Sequence, residues 1–523
     1  MGRNAFNILI TGGATLGSRF LGLLRDILIF SLFGASALHS AFIIAFTLPN
    51  LFRRLLGEGA LTSALVPVFS EEVERHGRKA GFGLLNKLLS RVALVLLGLL
   101  LVGVGLLGGA QSFVQLSPRW LQAAHLGVIL MPYMPLVCGA AVLGGTLNVL
   151  GRFAVTAFSP VWLNLTMIAV LGALIYGWDV RYGSEDLGIY VLCGGVLAGG
   201  VLQAGTAAGA LLFQGWRPCC DWRKAEGLSE IRNLWIPGLA GAAVLQVNVL
   251  VSRLLAFSLN EGAVAFLYLA NRLMELPLGV FTLAVVTVAF PNLARLAARG
   301  DERGFTEAFY RGLKWILAVS VPAALGLLLL GRPIVGFLFE WGRFEVDDVA
   351  TARSVVGVFA LGLPFYSLAT LATRGLHALK AMWTVALGSG LSFGVNLGMS
   401  LALMRMWEME GLALANVLAA GVHSIWLYGR LKQRCRVSRF DADFMEKGTL
   451  LRIGAAAAVM GVVCWVGLGL IEGLWGSGKF AGLVTVMGLI PLASVVYFVL
   501  LGLLGFDERL RLRVLWQRRR RLL

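Results

Sequence analysis

Long apolar runs recur along the whole of this 523-residue chain, and they restrict its fold more than any other feature. A run of about 20 apolar residues is long enough to cross a bilayer as a helix. Inside a bilayer, every backbone polar group must be satisfied within the protein, which only helices and closed barrels achieve. Because the runs are too long for barrel strands, we predict an all-α integral membrane protein.

Composition agrees with this class of fold. Hydrophobic residues make up 58% of the chain and charged residues only 14%, against about 25% charged in soluble domains. These values exclude a soluble globular enzyme, a disordered chain and a disulfide scaffold. We find 14 candidate spans, at roughly residues 6–33, 38–56, 86–109, 123–149, 156–177, 187–213, 233–258, 265–291, 310–331, 352–375, 381–404, 409–430, 450–472 and 479–505.

The distribution of basic residues predicts the orientation. The formal net charge is +17, from 45 Lys and Arg against 28 Asp and Glu. With 14 spans and both termini in the cytoplasm, about 34 of the 45 basic residues lie on the cytoplasmic side, as the positive-inside rule requires. Topology therefore explains most of the net charge, and we expect no nucleic-acid partner. The basic tail 507–523 either anchors this topology or lies on the anionic inner leaflet.

A weak internal duplication predicts the domain organisation. The Ala-Phe pair at 41–42 recurs at 265–266, an offset of 224 residues. Internal repeats of this kind are common in transporters. We predict an N-lobe of six spans, a C-lobe of six spans, and a last pair of spans with the basic tail, at residues 1–220, 221–440 and 441–523.

Charged residues inside apolar spans are the strongest functional signal, because a charge in the membrane is costly unless it faces a cavity or a partner. In the first span, Arg19 and Asp26 are seven residues apart and lie nearly on one helical face. Arg25 projects about 100° away from Asp26. An interhelical ion pair is one interpretation. We favour a polar cavity, because three charges within eight residues exceed what one contact between helices needs.

The second span contains Pro49, which should weaken or kink its helix. Arg53, Arg54 and Glu58 follow near the predicted cytoplasmic end. Arg54 and Glu58 are spaced i, i+4 and can pair, which leaves Arg53 as the candidate for a cation that faces inward. Anchoring by the positive-inside rule is the alternative.

Two further spans contain charged residues. In the eighth span, Arg272 and Glu275 are spaced i, i+3, so they form either a salt bridge at a helix start or part of a site. Arg253 in the seventh span is either a further cation of the site or a residue whose long side chain reaches the outer membrane surface.

Several guanidinium groups facing one cavity suit a multiply charged anion. Arg keeps its charge and presents a rigid fork that matches phosphate, so such a cavity can bind a pyrophosphate. The six cysteines lack C-x-x-C spacing and the five histidines lack an H-E-x-x-H pattern. We therefore expect no metal and no cofactor, and we predict a transporter of an anionic, lipid-linked substrate and not an enzyme.

The stretches that hold these residues resemble the MurJ (MviN) family, the lipid II flippases of bacterial peptidoglycan synthesis. They read SRFLGLLRD at 18–26, FGA at 33–35, AFTLPNLFRRLLGEGALTSALVPVF at 45–69 and NRLMELPLGVFTLAVVTVAFPNLAR at 271–295. Weaker agreement occurs at 148–164 and 339–344. The resemblance covers the whole chain, and the 45–69 motif is long and specific.

This resemblance implies both a fold and a function. The fold would be that of the multidrug/oligosaccharidyl-lipid/polysaccharide exporters, with two six-helix lobes in a V around a central cavity and a lipid-tail groove formed by the last two helices. The function would be to flip lipid II, an undecaprenyl-pyrophosphate-linked muropeptide, from the inner to the outer leaflet of the cytoplasmic membrane by alternating access. The implied substrate-binding residues are Arg19, Arg25, Asp26, Arg53, Glu58 and Arg272.

The chain also departs from the family pattern. Ser40 stands where members often have an acid, and Asn271 where the eighth span more often has Asp. In members that bind sodium, the seventh span supplies an acid at the position of Ser252, and the connection RGLHALKAMWT lacks the usual Asp and Thr-Pro pair. These departures count against sodium coupling and leave the membrane potential as a candidate driving force.

Three other functions are weighed against this one. A related exporter could carry another lipid-linked oligosaccharide, which charge alone does not exclude. A drug-cation carrier should present acids in its cavity, whereas this chain presents mainly arginines. A membrane-embedded transferase should show an acid cluster in a sizeable loop, and the predicted loops are short, under 30 residues.

Overall fold

The computed structural model describes residues 3–57, 60–113, 115–176, 185–435 and 447–506. Helices account for nearly all of these residues, and no strand occurs in the described ranges. The predicted all-α class is therefore confirmed. Glu58 and the basic tail 507–523 lie outside the described residues, so the predictions for them stay predictions.

The chain divides into two compact units. The first comprises Met1–Ala265 together with the short segment Trp341–Phe344. Its helices are α1 (Arg3–Phe33), α2 (Ala37–Phe52), α3 (Ala60–Phe113), α4 (Pro118–Leu130), α5 (Tyr133–Val149), α6 (Phe153–Tyr176), α7 (Glu185–Leu212) and α8 (Glu226–Leu259). Helix α6 packs against α1 and α7, while α3 packs against α5 and α8.

The second unit comprises Phe266–Glu340 and Glu345–Leu523. Its helices are α9 (Ala263–Pro277, whose first turn belongs to the first unit), α10 (Leu283–Ala298), α11 (Glu302–Phe339), α12 (Val346–Ala360), α13 (Leu363–Ala378), α14 (Met382–Arg434), α15 (Lys447–Trp475), α16 (Lys479–Val484) and α17 (Ile490–Leu503). Helix α11 contacts α10, α12, α13 and α15. The predicted boundaries at residues 220 and 440 are a finer division into lobes and stay a prediction.

Helical structure coincides with each of the 14 predicted spans. Eight helices of the described ranges are long and apolar enough to cross a membrane, or up to ten when each of two bent pairs counts as one span. Helix α14 covers two predicted spans, 381–404 and 409–430, and the non-helical backbone angles of Trp407 and Glu408 mark a break between them. The number of crossings therefore stays a prediction.

Three π-helical turns interrupt the spans, and each lies close to a proline. They are Arg53–Gly57 after Pro49, Leu278–Thr282 directly after Pro277, and Thr485–Leu489 just before Pro491. Proline lacks an N–H and its ring clashes with the carbonyl four residues back. Of the three prolines, Pro491 has that residue, Met487, inside a π-helical turn, whereas the other two turns begin after their prolines. The first two turns start 225 residues apart, against an offset of 224 for the repeated Ala-Phe pair.

The segment Trp341–Phe344, which we call the 341–344 strap, packs on the turn between α1 and α2. The Arg343 N–H donates to the Ser31 carbonyl at 2.9 Å, and the Phe344 ring meets Phe30 edge-on at 5.4 Å between centroids. Gly342 has φ +59°, and a methyl group there would overlap the Ser31 carbonyl oxygen. Close backbone contact of this kind requires glycine.

Candidate functional site

Arg25 and Asp26 form a buried ion pair in α1. The Arg25 Nη2 lies 2.6 Å and its Nε 3.0 Å from Asp26 Oδ1, and both side chains are almost fully buried. Arg25 Nη1 also donates to Asn164 Oδ1 at 3.1 Å, and the Asn164 amide donates to the Ser18 carbonyl of α1 at 3.1 Å. We call Arg25, Asp26 and Asn164 the α1–α6 polar cluster. It satisfies part of the polarity of a charge pair that would otherwise be costly to bury.

Arg19 lies six residues before Arg25, about 9 Å along the same helix. Its side chain is half-buried, and in the part of the chain that the structure describes it makes no hydrogen bond or ion pair. Ser18 next to it accepts the hydrogen bond from Asn164. Arg19 therefore lies on the same helix as the α1–α6 polar cluster without belonging to it.

Arg53 is the first residue of the first π-helical turn. Its half-buried side chain donates from Nε to Asn50 Oδ1 at 3.2 Å, while the Asn50 amide donates to the Phe46 carbonyl at 3.0 Å. Helix α2 continues through Pro49 to Phe52, and the π-helical turn follows it. π-Helical turns recur at functional sites because they change the direction of the side chains beyond them.

Helix geometry gives the depth of these arginines below the turn between α1 and α2. Arg25 lies eight residues before Phe33, about 12 Å along α1, and Arg19 lies 14 residues before it, about 21 Å. Arg53 lies 16 residues beyond Ala37, about 24 Å along α2. The first unit therefore holds guanidinium groups at two levels, with Arg25 nearer the turn and Arg19 and Arg53 deeper.

Arg272 belongs to the second unit, where it forms the expected pair with Glu275 in α9. Arg272 Nη1 lies 2.8 Å from Glu275 Oε2, and Glu275 is the more exposed partner. The second π-helical turn begins directly after this helix, at Leu278. Glu58, the remaining predicted site residue, lies outside the described residues, so its pairing with Arg54 is not described.

Three side chains without a role in the prediction from sequence hold arginines of the first unit in place. Asn50 and Asn164 hold Arg53 and Arg25, and Thr47 accepts a hydrogen bond from Arg253 Nη1. Arg253 therefore contacts α2 within the first unit. Amide side chains inside the apolar runs, at Asn50 and Asn164, are the signal that could have revealed two of these contacts.

The arrangement can bind an anion. Among the described residues, no group of three or more His, Cys, Asp and Glu side chains could hold a metal ion. The positive groups are guanidiniums held by carboxylate or amide partners, as in Arg25 and Arg272. A phosphate offers the same bidentate partner as a carboxylate, so it can replace Asp26 or Glu275 without leaving the arginine unpaired.

Comparisons with known proteins agree with one another. A family model described as "Lipid II flippase MurJ" matches residues 29–485. The "Probable lipid II flippase MurJ" of Rhizobium meliloti (strain 1021) is 33% identical over 502 residues, which cover 93% of this chain and 91% of that protein.

Two solved structures share the fold. "Lipid II flippase MurJ, inward closed conformation" superposes with a TM-score of 0.78 at 23% identity, over 96% of this chain and 99% of that chain. An inward-facing multidrug resistance MATE transporter of the MOP superfamily superposes with a TM-score of 0.66 at 13% identity, over 80% of this chain and 96% of that chain. At these identities the two likenesses concern the fold alone.

Proposed function

This chain belongs to the lipid II flippase MurJ family, and from that membership we propose that it moves lipid II across the bacterial cytoplasmic membrane. It is an integral membrane protein of helices and a transporter, in agreement with the prediction from its sequence. The proposed direction is from the cytoplasmic to the outer leaflet, by alternating access, with both chain termini in the cytoplasm.

The observation that carries the residue-level proposal is the α1–α6 polar cluster. A guanidinium buried between apolar helices is costly, so its retention next to a carboxylate indicates a need for positive charge at that place. We assign the substrate pyrophosphate to Arg25, with Arg19 and Arg53 at the deeper level of the first unit. With guanidinium groups at two depths, an anionic head group can move from one depth to the other and keep a cationic partner throughout.

Asp26 and Glu58 serve, in this proposal, as resting partners of the arginines when substrate is absent. An arginine without a partner in the membrane would destabilise the empty transporter. Substrate phosphate then exchanges with a carboxylate, so the number of paired guanidinium groups stays the same. We propose that Arg272 of the second unit also contacts the substrate. Two observations support this proposal: Arg272 is a charged residue within an apolar helix, and it belongs to the 271–295 motif.

Complementation of a strain depleted of its own flippase tests this function. We expect Arg25→Ala and Arg272→Ala to abolish growth while each variant still reaches the membrane in normal amount. The matched control is Arg303→Ala, which removes an exposed arginine that pairs with Glu307 near the start of α11. Normal growth of both test variants would contradict the assigned roles.

Substrate identity and driving force need a second measurement in the same background. We expect the wild-type chain to clear lipid II that accumulates in the inner leaflet, and a collapse of the membrane potential to slow this clearance. Replacement of sodium by potassium should change nothing, because the chain departs from the sodium pattern at Ser252. Failure to clear lipid II, with rescue of another cell-surface polymer, would instead identify an exporter of a different lipid-linked oligosaccharide.

A further inference from the structure

An open groove lies between α3 and α8 in the first unit, separate from the arginines assigned to the substrate. Its cavity volume is about 440 Å³. Its floor is apolar and comes from both helices, including Leu88, Val92, Leu96, Ile231 and Trp235. We call this the α3–α8 groove.

Three basic residues line the α3–α8 groove: Arg91, Lys224 and Arg232. Arg91 has a structural role, because its guanidinium donates hydrogen bonds to the backbone carbonyls of Asp221 at 3.4 Å and Trp222 at 2.8 Å. Lys224 and Arg232 are exposed, and within the described ranges neither makes a hydrogen bond or an ion pair. Two cations of the groove lining are therefore available to a ligand.

The groove opens sideways onto the apolar surface of α3. Leu94 and Val95 are 60% and 50% exposed, and the stretch around them is the most apolar of the chain's candidate spans. Beyond the groove, the loop 213–225 between α7 and α8 is basic and polar. The groove therefore lies at the boundary between hydrocarbon and head groups, on the side that the positive-inside rule makes cytoplasmic.

We propose that the α3–α8 groove binds one anionic glycerophospholipid of the inner leaflet. Its phosphate contacts Lys224 and Arg232, and an acyl chain lies along Leu88, Val92 and Leu96. Two available cations match a single phosphate group, and a laterally open apolar floor admits a lipid that diffuses in the membrane plane. A soluble acidic peptide would have to enter the hydrocarbon to use the same floor, so a lipid is the favoured occupant.

The bound lipid would support the substrate site without touching it. Helices α3 and α8 both contact the first π-helical turn, which begins at Arg53. A ligand that bridges the two helices therefore stabilises the surroundings of Arg53. This links the composition of the inner leaflet to the arrangement of one guanidinium of the proposed transport site.

Native mass spectrometry of the purified full-length chain tests the proposal. The probes are phosphatidylglycerol and phosphatidylcholine with identical acyl chains. A basic residue near an anionic lipid contributes about fivefold in affinity. We therefore expect a clear preference for phosphatidylglycerol, and the double variant Lys224→Gln/Arg232→Gln should weaken its binding about 30-fold.

The matched control is Arg217→Gln/Arg223→Gln, which removes two cations from the same loop that do not line the groove. It should bind phosphatidylglycerol as the wild type does. A second variant, Val92→Trp, keeps every charge and fills the floor, and it should also lose the bound lipid. Equal binding of phosphatidylcholine, or unchanged binding in both test variants, would overturn the proposal. Displacement of the lipid by added lipid II would overturn it as well, since the groove would then belong to the substrate path.

Discussion

At the scale of single residues, the proposed function rests on a few guanidinium groups within apolar helices. The cost of a charge in the membrane was enough to select Arg19, Arg25, Asp26, Arg53 and Arg272 from sequence. The partners of these residues were not predictable in the same way. Asn164 reaches Arg25 from a helix 139 residues further along the chain, and only helix packing decides that contact.

The first prediction separates the structural role of Arg25 from its role in transport. Arg25→Ala removes the nearest cation from buried Asp26 and should lower the free energy of unfolding by about 3–5 kcal/mol. The double variant Arg25→Ala/Asp26→Asn leaves no buried charge at this place, so it should recover most of that stability. We expect neither variant to complement a depleted strain, because neither offers the guanidinium to substrate.

Thermal unfolding in detergent and growth of the depleted strain measure the two effects independently. Arg25→Lys is the useful control, since it keeps a charge beside Asp26 and loses the planar fork. We expect it to fold well and to transport poorly. Growth of the double variant at the wild-type rate would restrict Arg25 to a structural role.

At the scale of elements, irregular backbone interrupts several helices, at π-helical turns and at the Trp407–Glu408 break in α14. Pro49 predicted a kink; helix α2 continues through it to Phe52, and a π-helical turn follows from Arg53. The sequence alone does not show whether a helix bends at its proline or widens in a turn nearby. That outcome depends on which backbone carbonyls find hydrogen-bond donors in the packed structure. Helix ends were predictable to a few residues, whereas the contact of the 341–344 strap with the turn between α1 and α2 was not.

The second prediction concerns the glycine in this strap. Gly342→Ala combines an unfavourable positive φ with an overlap on the Ser31 carbonyl, and we expect a loss of about 2–5 kcal/mol in unfolding free energy. Gly300→Ala is the control, because Gly300 also has positive φ and nothing lies within 4 Å of an added methyl group. It should cost only about 1–2 kcal/mol.

Differential scanning calorimetry of both variants in the same detergent compares their losses of stability. Limited proteolysis provides a local readout, since a displaced strap should become cleavable near Arg343 in Gly342→Ala alone. Equal losses of stability in the two variants would show that backbone conformation, and not the contact with Ser31, accounts for the effect.

At the scale of the whole molecule, the sequence predicted the all-α class and the membrane environment, and both hold. Charge asymmetry also predicted the side on which each loop lies, which the arrangement of helices does not test. The division into two compact units follows contacts between distant parts of the chain. Weak repeats such as the Ala-Phe pair at 41–42 and 265–266 suggest that two halves exist, but they do not show which segments of the chain belong to each half.

The third prediction tests orientation with natural cysteines. Cys219 and Cys220 are exposed in a loop predicted to be cytoplasmic, so a membrane-impermeant maleimide should label them only after the cells are permeabilised. Ser477→Cys in a Cys219→Ser/Cys220→Ser background is the control for the outer side. Residue 477 lies in an exposed loop predicted to face outward, so this variant should be labelled in intact cells. Labelling of Cys219 in intact cells would reverse the orientation.

Cys435 provides an internal reference in the same experiment. Burial, together with the nearby Glu302 carboxylate, raises the pKa of the Cys435 thiol to about 11. Only the thiolate reacts, so at pH 8 about one molecule in a thousand is reactive at this position. We expect its labelling to lag behind that of Cys219 and to accelerate about tenfold per pH unit up to about pH 11. A rate that does not change with pH would contradict this.

The 341–344 strap also has a consequence for biosynthesis. The first unit is continuous up to Ala265 and is completed only by Trp341–Phe344, about 80 residues later. At a translation rate of about 5–20 residues per second, the turn between α1 and α2 waits roughly 4–16 s for its cover. During that interval Phe30 and the Ser31 carbonyl lack their contacts with Phe344 and Arg343, so this turn is a surface that a membrane chaperone or insertase could bind.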